Sequence, residues 1–400
     1  MAAGSTHGAE QSFLVFFWLQ GTQQTTTHIF SMQPAGHPNA GRGALSSPPG
    51  RFQNYIREKE ISMDGHSAGE ATDIPWESEP ESLRQDTTII EEKARSILTR
   101  NDSPDVPFDR SINPYRGCEH GCIYCYARPS HAFVDLSPGR DFETKIFAKR
   151  NAAELLKKEF HKKTYTVDTI VLGSNTDPYQ PAEKQEQIVR EILKLCVEYN
   201  HPVSITTKNA LLLRDLDLIT LLASRELISV NLSITSLDPD LAHRWEPRAS
   251  APAQRLRALK SLRSAGVPAG VLLAPVVPGL NDREIEGIVA ESAAAGALWL
   301  HHILLRLPYE VKDLFIEWLN RYYPEKKDRI LHLIQSVRHG KANDPRFGHR
   351  MSGSGNYAQL IHLRVRSSVH RAGIPGKVSA PRKDLFLRAA GGQPDLFANP

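Results

Sequence analysis

Three of the four cysteines in this chain fall within eight residues, at Cys118, Cys122 and Cys125, and that spacing limits what the surrounding chain can be. Gly117 and Gly121 stand directly before the first two. Glycine permits positive φ and close backbone approach, which a loop curling round an inorganic cluster requires. Three thiolates on so short a loop suit three irons of a cubane, and the fourth iron then has no protein ligand from the loop. An open metal position belongs to a site that does chemistry. The same loop admits a second reading, a structural zinc site of the Cys3His type completed by His120 or His131.

Few, clustered cysteines in 400 residues point to a reducing compartment, so a cytoplasmic location is expected. The apolar run Phe13–Leu19 is too short to span a membrane and makes a poor signal peptide, so no membrane association is expected. Net charge is only +4, but it is uneven. The stretch 338–388 carries eleven Lys and Arg against two acids, net +9, which leaves the remainder at −5. A basic segment on a mildly acidic body suits a polyanionic partner such as DNA or RNA; the plainer reading is a solvated face.

From about Asp109 the pattern alternates between short apolar strands and helices. Strands are predicted just before Cys118 and at Thr169–Leu172, Val203–Thr206, Ile228–Ile234, Ala269–Leu273 and Leu298–Leu304. Between them, Ile188, Ile192, Leu195, Cys196 and Tyr199 recur with helical period, which places Cys196 in the core rather than at a metal. Six strand–helix units imply an α/β fold with a parallel sheet, whose functional loops follow the strands' C-terminal ends.

The longer context, Arg110-Ser111-Ile112-Asn113-Pro114-Tyr115-Arg116-Gly117-Cys118 and Tyr124-Cys125-Tyr126-Ala127-Arg128, resembles the radical S-adenosylmethionine (radical SAM) superfamily. Within it the chain is similar to the spore photoproduct lyase-like ("DNA repair photolyase") branch, and to a bacterial radical SAM family in that branch, over about Gly41 to Ile374. The resemblance implies an incomplete (βα)6 TIM-type barrel. It implies one [4Fe-4S] cluster on Cys118, Cys122 and Cys125, with SAM on the open iron. It also implies reductive cleavage of SAM to a 5′-deoxyadenosyl radical for hydrogen abstraction, and an electron donor such as flavodoxin or ferredoxin.

Carried onto this sequence, the resemblance sets Tyr124 against the adenine, Asn175, Thr176 and Asp177 near the methionyl ammonium, Lys208 on the SAM carboxylate and Ser233 on the ribose. The local alternative for Asp177 is an Asx turn into Pro178. Tyr126, Glu246 and Arg248 are the catalytic candidates; Glu246 and Arg248 would pair with each other, or Arg248 would hold SAM or an anionic substrate. Asn281 and Asp282 are candidates after the fifth strand. Spore photoproduct lyase carries a hydrogen-donating cysteine in the loop after its second strand, where this chain reads Gly173-Ser174-Asn175-Thr176-Asp177, so photoproduct repair itself is not expected. The expected substrate is nucleic acid, with radical chemistry on a peptide or small metabolite, or a non-catalytic zinc module, as alternatives.

The expected divisions are a mostly disordered leader over 1–80, with a true start at Met32, the radical SAM core over 81–310, a helical basic extension over 311–375 and a flexible tail over 376–400. Gly41-Arg42-Gly43-Ala44 and Gly50-Arg51-Phe52 match the family's N-terminal arm but read locally as a flexible basic leader. The Gly-rich Arg350–Tyr357 stretch suits either a phosphate cradle or a tight turn opening a helix. Gln393-Pro394-Asp395-Leu396-Phe397 resembles the peptide that docks repair and replication proteins on the bacterial sliding clamp, with Gln393, Leu396 and Phe397 as its anchors.

Overall fold

The computed structural model describes residues 41–52, 86–376 and 379–388. The strands are β1 (Thr88–Glu91), β2 (Leu98–Arg100), β3 (Arg110–Ile112), β4 (Tyr115–Arg116), β5 (Lys145–Ala148), β6 (Ile170–Leu172), β7 (Val203–Thr207), β8 (Ile228–Ser233), β9 (Ala269–Val276) and β10 (Leu300–Leu304). The helices are α1 (Asp141–Thr144), α2 (Ala152–Phe160), α3 (Glu183–Glu186), α4 (Ile188–Glu198), α5 (Leu216–Ser224), α6 (Pro239–Trp245), α7 (Pro252–Ser264), α8 (Ile285–Ala294), α9 (Val311–Tyr322), α10 (Lys327–Ser336) and α11 (Gly355–Arg371).

Seven strands form one sheet in the order β10-β9-β8-β7-β6-β3-β2. From β3 to β10 every neighbouring pair is parallel, and β2 closes one edge antiparallel to β3. The six parallel strands are those predicted, with ends shifted by a few residues, and they form the incomplete (βα)6 barrel. Apart from β10, where His301 is exposed, most of their residues are buried, as in strands covered by helices. Cys196 lies wholly inside, on α4. A second sheet, β1-β5-β4, is an addition to the expected pattern. Its strands are two to four residues long, too short for a period-2 signal.

A separate apolar cluster joins Ala44, Cys122, Ile123 and Tyr124 to Leu241 and Trp245 of α6 and to Val311, Leu314, Phe315, Trp318 and Ile330 of α9 and α10. The first two helices after the barrel therefore cover the cysteine loop, and Trp318 Nε1 donates to Arg244 O at 2.9 Å.

Two expectations about chain ends change. The leader is not uniformly loose: residues 41–52 pack against the cysteine loop, with Ala44 fully buried. The tail does not leave the barrel at 376, because residues 379–388 lie along it. Leu387 N donates to Tyr199 O at 2.8 Å and Phe386 packs edge-on to Phe160 at 5.5 Å. In the Asp-Leu-Phe at 384–386, Leu385 and Phe386 thus pack against the barrel half-buried, while Asp384 is exposed. Met32, the run 13–19 and the Gln393–Phe397 peptide lie outside the described residues. Among the described residues no helix is long and apolar enough to cross a membrane.

Candidate active site at the cysteine loop

The loop from Cys118 to Cys125 follows β3 and β4 at the C-terminal mouth of the barrel, and each of its intervening residues has an assigned partner. Glu119 accepts from Thr87 Oγ1 at 2.7 Å, and Arg248 Nη2 lies 3.1 Å from its Oε1. His120 Nδ1 lies 3.3 Å from Asp177 Oδ2, and its Nε2 lies 3.2 Å from Asn209 Nδ2. Ile123 N donates to Trp245 O at 3.0 Å.

The loop's carbonyls are held from beneath by Arg128, fully buried just after the third cysteine. Its Nε donates to Cys122 O at 2.9 Å and its Nη2 to Gly121 O at 3.0 Å. Glu143, also fully buried, pairs with Arg128. The same carboxylate accepts from Gly43 N and Ala44 N, both at 2.8 Å, while Arg42 Nη1 donates to Glu143 O at 2.7 Å. The N-terminal arm is thereby strapped to the cysteine loop through one ion pair. The contact is tight enough that a Cβ on Gly43 would stand 1.8 Å from Gly121 O. Gly121 itself has φ 67°, where side chains are disfavoured. Neither Arg128 nor Glu143 was legible as a pair in the sequence.

The three thiols fit the group that the resemblance implies. Cys118 and Cys122 are buried, and burial pushes the Cys122 thiol up to about 12, so ionising it calls for a bound cation. Of the histidines offered for zinc, His120 has the contacts above and His131 meets Lys145 O through Nε2 at 3.0 Å.

The predicted SAM contacts come together unevenly. Lys208, at the end of β7, holds its ammonium 5.9 Å from the centre of the Tyr124 ring, and no ion pair or hydrogen bond occupies it among the described residues. Burial disfavours its charge, but Cys122, Glu246 and Asp177 outweigh that and raise its pKa. Asp177 is already spent: its carboxylate accepts from Thr207 Oγ1 at 2.6 Å, Lys208 N at 2.8 Å and Tyr179 N at 2.9 Å, the last being the Asx turn. Burial pushes its pKa up, yet His120 and these donors bring it down to about 2. Thr176 Oγ1 donates to Tyr115 O at 2.9 Å. Asn175 is half-buried, and its side chain is unengaged among the described residues. Asn113, which no earlier argument singled out, organises this loop by accepting from Asn175 N at 3.0 Å and Thr176 N at 3.4 Å. Ser233 ends β8, buried, its carbonyl held by Arg255 Nη1 at 3.0 Å.

Tyr124 is buried rather than open: its hydroxyl donates to Glu246 and its ring meets Trp245 edge-on at 5.2 Å. Glu246 also accepts from Thr235 Oγ1 at 2.8 Å and pairs with Arg255. Burial raises its pKa, but Arg255 and Lys208 hold it below the usual range. The expected pairing of Glu246 with Arg248 does not form. Glu246 turns inward to Arg255, nine residues on in α7, and Arg248 turns outward to Glu119. Glu246 is buried and braces Tyr124. Tyr126 remains at the mouth, 47 % exposed, its hydroxyl donating to Ser174 O. Asn281 is a buried loop brace, donating to Thr235 O at 2.7 Å, and Asp282 accepts from Tyr357 on α11 at 2.5 Å.

A model of the radical SAM superfamily matches residues 112–291. An uncharacterised protein of Mycobacterium tuberculosis is 37 % identical over 232 residues, covering 58 % of this chain and 68 % of its own length. An uncharacterised protein of Methanocaldococcus jannaschii is 30 % identical over 243 residues, covering 60 % of this chain and 86 % of that one. Among solved structures, spore photoproduct lyase complexed with dinucleoside spore photoproduct aligns with a TM-score of 0.55 at 17 % identity, over 77 % of this chain and 86 % of that one, a likeness of fold.

Proposed function

The chain belongs to the radical SAM superfamily, and from that premise we propose that it is a one-cluster enzyme acting on nucleic acid, in repair or modification. When bound, the [4Fe-4S] cluster and SAM supply one-electron cleavage of SAM to a 5′-deoxyadenosyl radical that takes a hydrogen atom from the substrate. Cys118, Cys122 and Cys125 hold the three ligated irons, and the arm, Arg128 and Glu143 hold the loop that presents them.

The observation that carries the SAM reading is the unpaired Lys208 ammonium beside Tyr124 and within the field of Cys122. A half-buried cation that forms no ion pair among the described residues suits an anionic ligand, here the SAM carboxylate. Asn175 is the acceptor left for the ammonium, because Asp177 and Thr176 serve the protein's own turn. Ser233 marks the ribose end. Tyr126 and Arg248 stay candidates at the mouth.

The nucleic-acid part rests on the barrel's likeness to spore photoproduct lyase and on the basic stretch 338–388. A flavodoxin or ferredoxin supplies the electron, in a cytoplasmic setting. The Gln393–Phe397 peptide would dock the enzyme on the bacterial sliding clamp; titration of that peptide into purified clamp, with a Leu396→Ala, Phe397→Ala control, tests it, and equal binding by the control refutes it.

The test of the whole reading is anaerobic reconstitution, iron and sulfide analysis, and assay of 5′-deoxyadenosine with candidate oligonucleotides. Iron near four per chain and oligonucleotide-stimulated 5′-deoxyadenosine are expected. Tight zinc without iron overturns the enzyme reading. Stimulation by a peptide or metabolite, and not by oligonucleotides, overturns the substrate class.

A further inference from the structure

Beside the third cysteine lies another cation with no carboxylate partner among the described residues. Arg306 follows β10, the last barrel strand, and its guanidinium carbon lies 5.5 Å over the ring of Tyr126, the residue next to the third cysteine. Its Nε is buried and has no hydrogen-bond partner. Its other polar contact is a weak one, from Nη1 to the Met351 sulfur at 3.8 Å. No carboxylate is paired with it among the described residues.

Its neighbours deepen the imbalance. Arg350 lies close by, pairs with Asp105, and stacks its guanidinium 4.5 Å over Phe347. Arg338, fully buried, is held only by main-chain oxygens, among them Leu304 O at 2.9 Å and Leu305 O at 2.6 Å. Asp344, the other acid nearby, is paired with Arg346. One carboxylate therefore serves three clustered guanidiniums. Burial and Arg350 together hold the pKa of Arg306 below its usual value, the mark of a charge without compensation.

The cost of desolvating such a charge is several kcal/mol, and one cation–π contact returns only about 0.5–2 kcal/mol. An unpaired half-buried guanidinium is kept where a ligand completes it, and the planar fork matches phosphate oxygens two at a time. The Gly-rich Arg350–Tyr357 stretch contributes through Arg350, not through exposed amides. Gly353 N is spent on His349 O at 2.7 Å and Ser354 N on Val337 O at 3.0 Å, so it is the tight turn opening α11. Two exposed rings accompany the cations, Tyr126 at 47 % and Phe347 at 57 %. Ring beside guanidinium, twice over, is the surface on which bases stack while phosphates pair.

We propose that Arg306, backed by Arg350, is a phosphate subsite at the barrel mouth that seats a nucleotide of the substrate with its base against Tyr126 or Phe347. This deepens the nucleic-acid reading and rests on the cysteine loop being the active site. The subsite anchors the strand beside the cysteine loop, so the sugar or base next to the bound phosphate is the part brought over that loop.

The test uses anaerobically reconstituted enzyme with SAM bound and three probes: thymidine, thymidine 5′-monophosphate and a short single-stranded oligothymidine. Thymidine avoids competition with the adenosyl group. Wild type binds the monophosphate more tightly than the nucleoside, and Arg306→Gln removes that preference, roughly a tenfold loss for one charge-assisted phosphate pair. Oligonucleotide affinity falls likewise, and the slope of log affinity against log salt drops by about one. Arg306→Lys, which keeps the charge, recovers part of the binding, while iron content and melting temperature confirm that Arg306→Gln is folded. An oligonucleotide that binds wild type and Arg306→Gln with equal affinity and equal salt slope overturns the subsite and leaves the nucleic-acid reading standing. An Arg306-dependent preference for the monophosphate without oligonucleotide binding upholds the subsite and overturns nucleic acid in favour of a nucleotide. No preference for the monophosphate in wild type overturns the subsite outright.

Discussion

The two sides of the cysteine loop treat buried charge in opposite ways. Beneath the loop, Arg128 and Glu143 are both fully buried, paired, and shared out among the loop's carbonyls and the arm's amides. Above it, Lys208 and Arg306 are only partly buried and form no ion pair among the described residues, although Glu246 and Asp177 lie near the first and Asp105 near the second. A charge with every donor satisfied belongs to the scaffold, because removing its partner is expensive. A charge left without an ion pair beside the cysteine loop suits a ligand. The contrast sorts the site's residues without reference to any bound molecule, and it can be attacked from either side.

The largest effect is expected at the loop itself. Cys118→Ala, Cys122→Ala or Cys125→Ala should each abolish the iron–sulfur chromophore, and Cys196→Ala should leave it intact, as read by absorption after anaerobic reconstitution. Next comes the scaffold side. Glu143→Ala strands the Arg128 guanidinium and frees Gly43 N and Ala44 N, so a loss of about 3–5 kcal/mol is expected by thermal or denaturant unfolding, with Glu143→Gln milder. A loss below about 1 kcal/mol would erase the distinction between the two sides.

On the ligand side, Lys208→Ala should weaken SAM binding by about 10–100-fold in equilibrium titration, with iron content and melting temperature unchanged. A lower melting temperature with normal SAM affinity would move Lys208 into the scaffold. Asp177→Asn should lower both, since the carboxylate supports the Thr207–Lys208 turn.

A pH-dependent effect lies far from the loop. His201 is buried against Phe160 at 4.6 Å, accepts from or donates to Tyr165 Oη at 2.8 Å, and burial lowers its pKa to about 3. The unfolded chain takes up this proton near pH 6.5 while the folded one does not until about 3. Stability from this group is therefore intact above pH 6.5 and falls as pH drops toward 3, by about 1.4 kcal/mol per unit. His201→Gln should flatten a plot of unfolding free energy against pH by that amount between pH 6 and 4, whereas an unchanged slope would mean that His201 is protonated in the fold.

What the sequence disclosed follows from how local each signal is. The six barrel strands were legible because apolar runs bounded by turns are local, and so was the cysteine loop. Lys208 was legible because it ends a strand. The Arg128–Glu143 pair was not: it spans fifteen residues and reaches back a hundred to Gly43, and no periodicity connects them. Glu246 and Arg248 misled because two residues apart past a helix end they look like neighbours, while the chain turns one inward to Arg255 and the other outward to Glu119. Arg306 carries no motif; its meaning comes from what fails to surround it. Tyr124 was placed on the adenine by resemblance alone, and its burial comes from a hydroxyl that needs Glu246.

The arm also sets an order of assembly. Gly43 and Ala44 leave the ribosome some seventy-five residues before the cysteines they cover, yet their amides have no acceptor until Glu143 has been made and folded. Cys118 and Cys122 are nearly closed off once the arm is seated. On the one-cluster reading proposed above, iron and sulfide have to reach those thiols while they are open, before the arm is seated on Glu143.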